Sequence, residues 1–87
     1  MRSTPDPLLT PMQLGAILQA TRKTLGMTQS ALASRLGLSQ SRVSYLELHA
    51  HELSVEQLLA WSAVLNLELT IGARSGDHTS SRIHTDW

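Results

Sequence analysis

Residues 39–48 carry amide, hydroxyl and phenol groups at helical spacing. In a helix of about 100° per residue, Val43 and Leu46 share one side of this stretch and should face a core. A solvated face opposite them would more usually carry lysine and glutamate. Glutamine can instead present a donor and an acceptor side by side to adenine, so this face is typical of hydrogen bonding to base edges. The polar side chains on the outer arc are Gln40, Ser41, Ser44 and Tyr45.

The charge around this stretch is only mildly positive. The whole chain has a formal net charge of zero, which by itself does not favour a nucleic-acid partner. Arg42 lies at the margin of the polar arc, where a phosphate would lie. Between positions 22 and 53, four basic side chains stand against two acidic ones, and this imbalance permits DNA binding without requiring it. They are Arg22, Lys23, Arg35 and Arg42 against Glu47 and Glu52.

Length and composition limit the class of protein. A chain of 87 residues allows one domain with a modest core, and such chains often rely on oligomerisation. The absence of cysteine excludes disulfides and thiolate metal sites and fits a reducing compartment. No apolar run approaches the roughly 18 residues of a membrane span, and MRSTPDP lacks the apolar stretch of a signal peptide. We therefore expect a soluble cytoplasmic protein without a membrane partner.

The sequence gives no indication of catalysis, of a metal or of a cofactor. Ser44 and Ser62 have no positioned base, and no glycine-rich phosphate loop is present. The histidines have neither a fixed helical spacing nor a thiol beside them, so we predict no metal site, no cofactor and no enzymatic activity. These histidines are His49, His51, His78 and His84.

The polar arc needs helices to position it, and one helix-start pattern occurs four times. Each start has a serine or threonine that can cap a free backbone N–H, with one apolar residue before it and another four residues after it. The caps are Thr10, Thr28, Ser39 and Ser54. We therefore predict four helices, with Gly26 and Gly37 closing the first two. The predicted helices span about 11–25, 28–36, 39–48 and 54–65.

The first two predicted helices also indicate how the third one packs. The small side chain of Ala33 should let the third helix cross closely over the second, whereas a leucine there would push them apart. The first helix carries a stripe at helical spacing that we expect to be buried. This stripe consists of Leu14, Ile17, Leu18, Thr21 and Leu25.

A strand pattern follows the fourth helix. Leu67, Leu69 and Ile71 alternate with polar or small residues, which is strand periodicity. A lone strand leaves its backbone groups unpaired and the sequence predicts no second one, so its simplest partner is the same strand of another copy. The fourth helix is apolar on more than one face, as in a buried closing helix or a dimer surface. We predict a two-fold dimer whose interface also includes Trp61 and Leu65.

The segment TQSALASRLGLSQSRVSYLE, residues 28–47, resembles the helix-turn-helix of phage repressors and related bacterial regulators of the XRE family. Ala33 and Gly37 fall where that family places its small residue and its turn glycine. Val43 and Leu46 fall where it places two core aliphatics. The resemblance implies a protein that binds double-stranded DNA through the second of these two helices.

Individual roles follow from the same resemblance. Gln40 and Ser41 would contact bases, Tyr45 is a weaker candidate for that role, and Ser44 lies on the same face. Gln29 would bond a phosphate and brace Gln40, and its place at the start of a helix agrees, because the helix dipole there favours phosphate. The other residues expected to meet the DNA backbone are Ser39, Arg42 and Arg35.

A second resemblance, to a smaller group of these regulators, lies in residues 52–74. This segment, ELSVEQLLAWSAVLNLELTIGAR, looks like the end of HipB-like antitoxins. The implied fold is mainly α, with four to five helices in a repressor-like domain and one C-terminal β-strand that pairs across a dimer. The expected divisions are a flexible arm at 1–8, a DNA-binding and dimerisation domain at 9–74 and a disordered tail at 75–87.

The function implied by this resemblance is that of a dimeric transcriptional repressor at a palindromic operator. It would also be the antitoxin that holds a HipA-like Ser/Thr kinase toxin inactive. Trp87 would then dock into a pocket on the toxin, although a chance occurrence of tryptophan there is an equal alternative. Two other functions stay open: a stand-alone repressor without a toxin, and a protein-interaction adaptor on the same scaffold.

Overall fold

The computed structural model describes residues 7–73, so the predicted tail and most of the predicted arm lie outside the described residues. Each predicted helix boundary agrees with the structure to within one residue, which confirms a mainly helical fold with four α-helices. None of the helices in the described range has the length and apolar character needed to cross a membrane. The helices are α1 (Pro11–Thr24), α2 (Gln29–Leu36), α3 (Gln40–Leu48) and α4 (Val55–Val64), with a 3-10 helix at Ala50–Glu52.

The four helices begin where the sequence places their caps. The side chain of each predicted cap residue accepts a hydrogen bond from a backbone N–H in the first turn. At α4, Ser54 and Gln57 form a reciprocal capping box. At α1, the Gln13 side chain reaches one residue further back and accepts from the Leu9 N–H at 2.7 Å. Local side-chain chemistry therefore sets where each helix starts.

Two glycines close α1 and α2 in the left-handed region. Gly26 has a φ of 72° and Gly37 a φ of 71°, which other residue types adopt only with strain. After Gly37, the Leu38 N–H donates to the Ala33 carbonyl oxygen at 2.9 Å and completes the turn. Because so few residues join α2 to α3, the direction of α3 is fixed relative to α2.

The core lies where the four helices meet. Ala33 is 3% exposed, in keeping with a close crossing of α3 over α2. The stripe on α1 differs from the prediction at its end, because the helix stops at Thr24 and leaves Leu25 48% exposed. Arg22 is buried instead. The fully buried large side chains are Leu18, Leu32, Val43, Leu46, Trp61 and Leu65.

A glycine in the middle of α1 allows close contact with α3. A Cβ atom at Gly15 would lie 2.3 Å from the backbone oxygen of Glu47, far inside van der Waals contact. Any larger residue would therefore force α1 away from the end of α3. The lack of a side chain at Gly15 therefore permits the close approach of α1 to the end of α3.

The end of the described chain turns away from α4 without forming a strand. Asn66 has a φ of 59°, and the Leu67 N–H donates to the Ser62 carbonyl oxygen at 2.8 Å. The described residues that follow contain no strand within this single copy. Leu69 is 41% exposed and Ile71 is fully exposed. Pairing of this segment across a dimer therefore stays a prediction.

Two residues assigned to the dimer surface lie elsewhere. Trp61 and Leu65 are each only 1% exposed, because they fill the core of their own copy. The sequence could not orient α4, since apolar residues occur on more than one of its faces. The apolar side chains that α4 leaves at the surface are Val55 and Leu59, which are 73% and 53% exposed.

Candidate nucleic-acid interface

Gln40, the first residue of α3, is exposed and held from one side by α2. Its Nε2 donates to Oε1 of Gln29 at 2.7 Å. The Nε2 of Gln29 in turn donates to Oε1 of Glu47 at 3.0 Å. The structure thus brings together the two glutamines that the family resemblance paired, and it adds a carboxylate two turns along α3.

This series of hydrogen bonds ends on a buried ion pair between α1 and α3. Nε of Arg22 donates to Oε2 of Glu47 at 2.6 Å, and its second nitrogen reaches Oε1 at 3.2 Å. The third guanidinium nitrogen donates to the Met27 carbonyl oxygen at 2.9 Å. The two charged side chains are 7% and 1% exposed. We call Arg22, Glu47, Gln29 and Gln40 the Gln–Glu network.

The charge of Glu47 sets the orientation of both amides. An ionised carboxylate only accepts hydrogen bonds, so the amino group of Gln29 must face Glu47 and its oxygen must face Gln40. The amino group of Gln40 must then face Gln29. One N–H and the oxygen of Gln40 are left without a hydrogen-bond partner among the described residues. This orientation follows from the network, because the nitrogen and oxygen of an amide are otherwise interchangeable.

The ion pair removes two residues from the surface charge inferred from the sequence without changing the balance of that charge. Arg22 and Glu47 neutralise each other inside the protein, so neither contributes to the surface charge near α3. Lys23, Arg35 and Arg42 remain exposed, against Glu52. The surface near α3 is therefore still mildly positive, and its charge comes from these four exposed residues alone.

The other side of α3 carries a second group of contacts around Tyr45. The Tyr45 hydroxyl donates to Oε2 of Glu52, in the 3-10 helix, at 2.6 Å. This hydrogen bond is the main cause that raises the pKa of Tyr45 above its ordinary value near 10. Because the phenol proton is shared with Glu52, Tyr45 has no second donor to offer to a base.

Two further side chains stack on the Tyr45 ring. The His49 ring lies 4.2 Å away, between centroids, at an interplanar angle of 17°. The guanidinium carbon of Arg42 lies 5.5 Å from the Tyr45 centroid, within cation–π range. We call Arg42, Tyr45, His49 and Glu52 the Tyr–Glu cluster. In residues 7–73, no group of three or more potential metal ligands comes together.

Between these two groups lies the outermost part of α3. Ser41 is exposed and Ser44 is partly buried. Leu48, seven residues after Ser41 and so on the same face, is 73% exposed. The exposure of Leu48 was not predictable from the sequence, because an aliphatic residue at the end of a helix is more often buried.

The remaining predicted contacts lie near the start of α3. The Ser39 hydroxyl oxygen caps α3 by accepting from the Arg42 N–H at 3.1 Å, and its own proton stays free to be donated. Arg35 is exposed in the last turn of α2. These positions surround the polar face with possible donors to phosphate.

Three residues of these two groups, Arg22, Glu47 and Glu52, were not predicted from the sequence, although two of them had a recognisable signal. Arg22 lies four residues after Leu18, within the helical spacing of the buried stripe. Glu47 lies seven residues after Gln40 and therefore on the same side of α3. Glu52 had no such signal, because its contact with Tyr45 depends on the path of the chain after α3.

This fold is similar to that of HipB in solved complexes with DNA. A serine-to-alanine variant of HipB in complex with an O2 20-mer matches with a TM-score of 0.72 and 23% identity, over 80% of this chain and 97% of that one. A HipB–O1–O2 complex matches with a TM-score of 0.70 and 25% identity, over 78% and 99% of the two chains. Comparison with curated proteins finds no match.

The family assignment rests on a match to the sequence itself. A model of the helix-turn-helix family HTH_3 matches residues 18–71, which include α2, α3 and α4. The match spans more than half of the chain and contains the Gln–Glu network and the Tyr–Glu cluster. This protein therefore belongs to the helix-turn-helix family HTH_3.

Proposed function

We propose that this protein is a sequence-specific DNA-binding repressor that places α3 in the major groove of its operator. The observation that carries this proposal is the hydrogen bonding of the Gln40 side-chain amide. The Gln–Glu network fixes its amide and leaves one donor and one acceptor free. That pair matches N7 and the N6 amino group of adenine, the usual partner of glutamine in the major groove.

Contacts to the DNA backbone would surround this base contact. Gln29 uses one N–H for Glu47 and has a second one for a phosphate. Ser39, Arg42 and Arg35 lie at the surface around the start of α3. Such contacts fix the register of a protein on DNA, whereas contacts to base edges supply the sequence preference. Ser41 and Ser44 are the remaining candidates for base edges.

A second copy would complete the DNA-binding unit. Leu69 and Ile71 are exposed apolar side chains in a segment with strand periodicity, and Val55 and Leu59 extend the apolar surface on α4. A two-fold dimer would read a palindromic operator with half-sites about one helical turn apart. Replacing Ile71 with proline removes a backbone donor, so light scattering should show loss of the dimer. An unchanged dimer would contradict strand pairing.

The finer proposal is that this repressor is the antitoxin of a HipA-like kinase toxin. It is supported by the resemblance of residues 52–74 to HipB-like antitoxins and by a similarity that extends over 99% of a HipB chain. Trp87, which lies outside the described residues, would bind the toxin. Deleting residues 75–87 should leave operator affinity unchanged and weaken toxin binding in calorimetric titrations. Unchanged toxin affinity would contradict this role of Trp87.

The central experiment compares Gln40→Ala and Arg42→Ala on two duplexes. One is the duplex that wild-type protein enriches from a random-sequence pool, and the other is a shuffled version. Gln40→Ala should lose about 1–3 kcal/mol on the enriched duplex and little on the shuffled one. Arg42→Ala should weaken binding to both duplexes and flatten the salt dependence.

Equal losses on both duplexes for Gln40→Ala would contradict direct reading of a base. If the wild-type protein shifts no duplex at all, including its own promoter, the adaptor function is favoured over the repressor. A neighbouring kinase-like reading frame would separate the antitoxin from a stand-alone repressor.

A further inference from the structure

The Tyr–Glu cluster places a negative charge beside the face of α3 that would meet DNA. Glu52 is exposed, and its carboxylate lies 2.6 Å from the hydroxyl of Tyr45 on α3. DNA presents a dense array of phosphates, so a carboxylate here opposes binding of any duplex. The short hydrogen bond to Tyr45 gives this carboxylate a structural contact besides its charge.

The same carboxylate also determines where the Tyr45 side chain lies. Tyr45 is joined to Glu52 through its hydroxyl, while His49 stacks on its ring at 4.2 Å. Arg42 lies 5.5 Å from that ring, one helical turn earlier. The position of the Arg42 guanidinium is therefore set in part by Tyr45, and the position of Tyr45 by Glu52.

We propose that Glu52 is a specificity-determining positioning residue: its oxygen fixes Tyr45, and through it Arg42, while its charge weakens binding to every duplex. This inference rests on the proposed function. On the correct operator, where base contacts fix the register, a positioned Arg42 meets its phosphate without further ordering. On random DNA the register of the protein varies, so the fixed position of Arg42 contributes little to affinity. The repulsion between Glu52 and the phosphates remains. Glu52 thereby increases the ratio of specific to non-specific affinity.

Two substitutions separate the charge from the hydrogen bond. Glu52→Gln removes the charge but keeps an oxygen that accepts from Tyr45, whereas Glu52→Ala removes both. Tyr45→Phe keeps the ring and the charge but removes the donor. Glu68→Gln, at an exposed position after α4, serves as the control for loss of one negative charge elsewhere.

Each variant is titrated with the enriched duplex and its shuffled version at one salt concentration. Glu52→Gln should bind both duplexes more tightly, with the ratio of the wild type. Glu52→Ala should bind the shuffled duplex as tightly as Glu52→Gln does, but its ratio should fall about three- to tenfold, as for one lost hydrogen bond. Tyr45→Phe should show the same fall in ratio without tighter binding to shuffled DNA.

A second measurement tests the positioning without DNA. Tyr45 is the single tyrosine of the chain, so its ring signals in an NMR spectrum are assigned without ambiguity. The ring shifts caused by stacking on His49 should persist in Glu52→Gln and change in Glu52→Ala. The same spectra show whether each variant is folded.

The proposal is overturned if Glu52→Ala keeps the ratio measured for Glu52→Gln, or if Tyr45→Phe keeps that of the wild type. It is also overturned if Glu52→Gln binds shuffled DNA no more tightly than Glu68→Gln does. These outcomes leave specific binding by the wild type intact. A wild type that enriches no duplex would contradict the proposed function itself, and this inference with it.

Discussion

The Gln–Glu network and the Tyr–Glu cluster flank the same short helix but are anchored in different ways. Arg22 and Glu47 are buried between α1 and α3, with side chains 7% and 1% exposed. Tyr45 is 38% exposed, and its partner Glu52 lies at the surface. Both groups are held by short hydrogen bonds to a carboxylate. The burial of each group, and not the geometry of its hydrogen bonds, should therefore decide how much the group contributes to the free energy of unfolding.

The largest expected effect is on stability. Glu47→Ala leaves the Arg22 charge buried without a partner and should lower the free energy of unfolding by about 3–5 kcal/mol. Glu52→Ala removes an exposed contact and should lower it by less than about 1 kcal/mol. Urea denaturation of both variants measures the difference. Similar losses would show that burial does not distinguish the two groups.

The next effect tests whether the Gln–Glu network depends on the close contact of α1 with α3. Gly15→Ala places a methyl group against the Glu47 backbone oxygen and should cost about 1–3 kcal/mol, despite the better helix propensity of alanine. Gly72→Ala is the control, because nothing lies within 4 Å of a Cβ atom there. Unfolding of the two variants at the same urea concentration would contradict a close contact of α1 with α3 at Gly15.

A smaller effect on DNA affinity is expected at Gln29, which connects the buried ion pair to Gln40 at the surface. Gln29→Ala removes the acceptor of Gln40 and should reduce affinity for the enriched duplex by about 1 kcal/mol, with less change on shuffled DNA. Ser34→Ala, at an exposed position of α2, is the matched control. Fluorescence anisotropy with labelled duplexes gives both affinities. A specific affinity equal to that of the control would mean that Gln40 needs no brace.

The smallest effect appears in the ionisation of Tyr45. Its hydrogen bond to Glu52 raises its pKa, because the neutral phenol is the donor and ionisation ends the contact. Glu52→Ala should therefore shift the tyrosinate absorbance curve to lower pH. Glu68→Gln should leave it in place. Coincident curves for wild type and Glu52→Ala would contradict the contact.

The sequence predicted the features that depend on near neighbours. Caps such as Ser39 and Ser54 act within the first turn, so the positions of the helices followed from them. The polar face of α3 followed from helical periodicity. The pairing of Gln29 with Gln40 followed from the family resemblance.

Features that depend on distant neighbours were missed. Arg22 and Glu47 are 25 residues apart, and only the packing of α1 on α3 brings them together. Trp61 and Leu65 were assigned to an interface because α4 is apolar on more than one face and its own pattern does not orient it. Glu52 was counted as a background charge, since its contact depends on the 3-10 helix. In each case the missing information was tertiary.

The fixed amide orientations in the Gln–Glu network also limit how this helix could evolve a new target. Replacing Gln40 alone leaves the side-chain oxygen of Gln29 without its donor, and replacing Glu47 alone leaves Arg22 without its carboxylate partner. Coordinated substitutions of these residues should therefore be tolerated better than single ones. Ser41 and Ser44 make no side-chain hydrogen bond within the described residues and are free to vary singly. A library that recodes the proposed operator preference should diversify Ser41, Ser44 and Leu48 singly, and Gln40 together with Gln29.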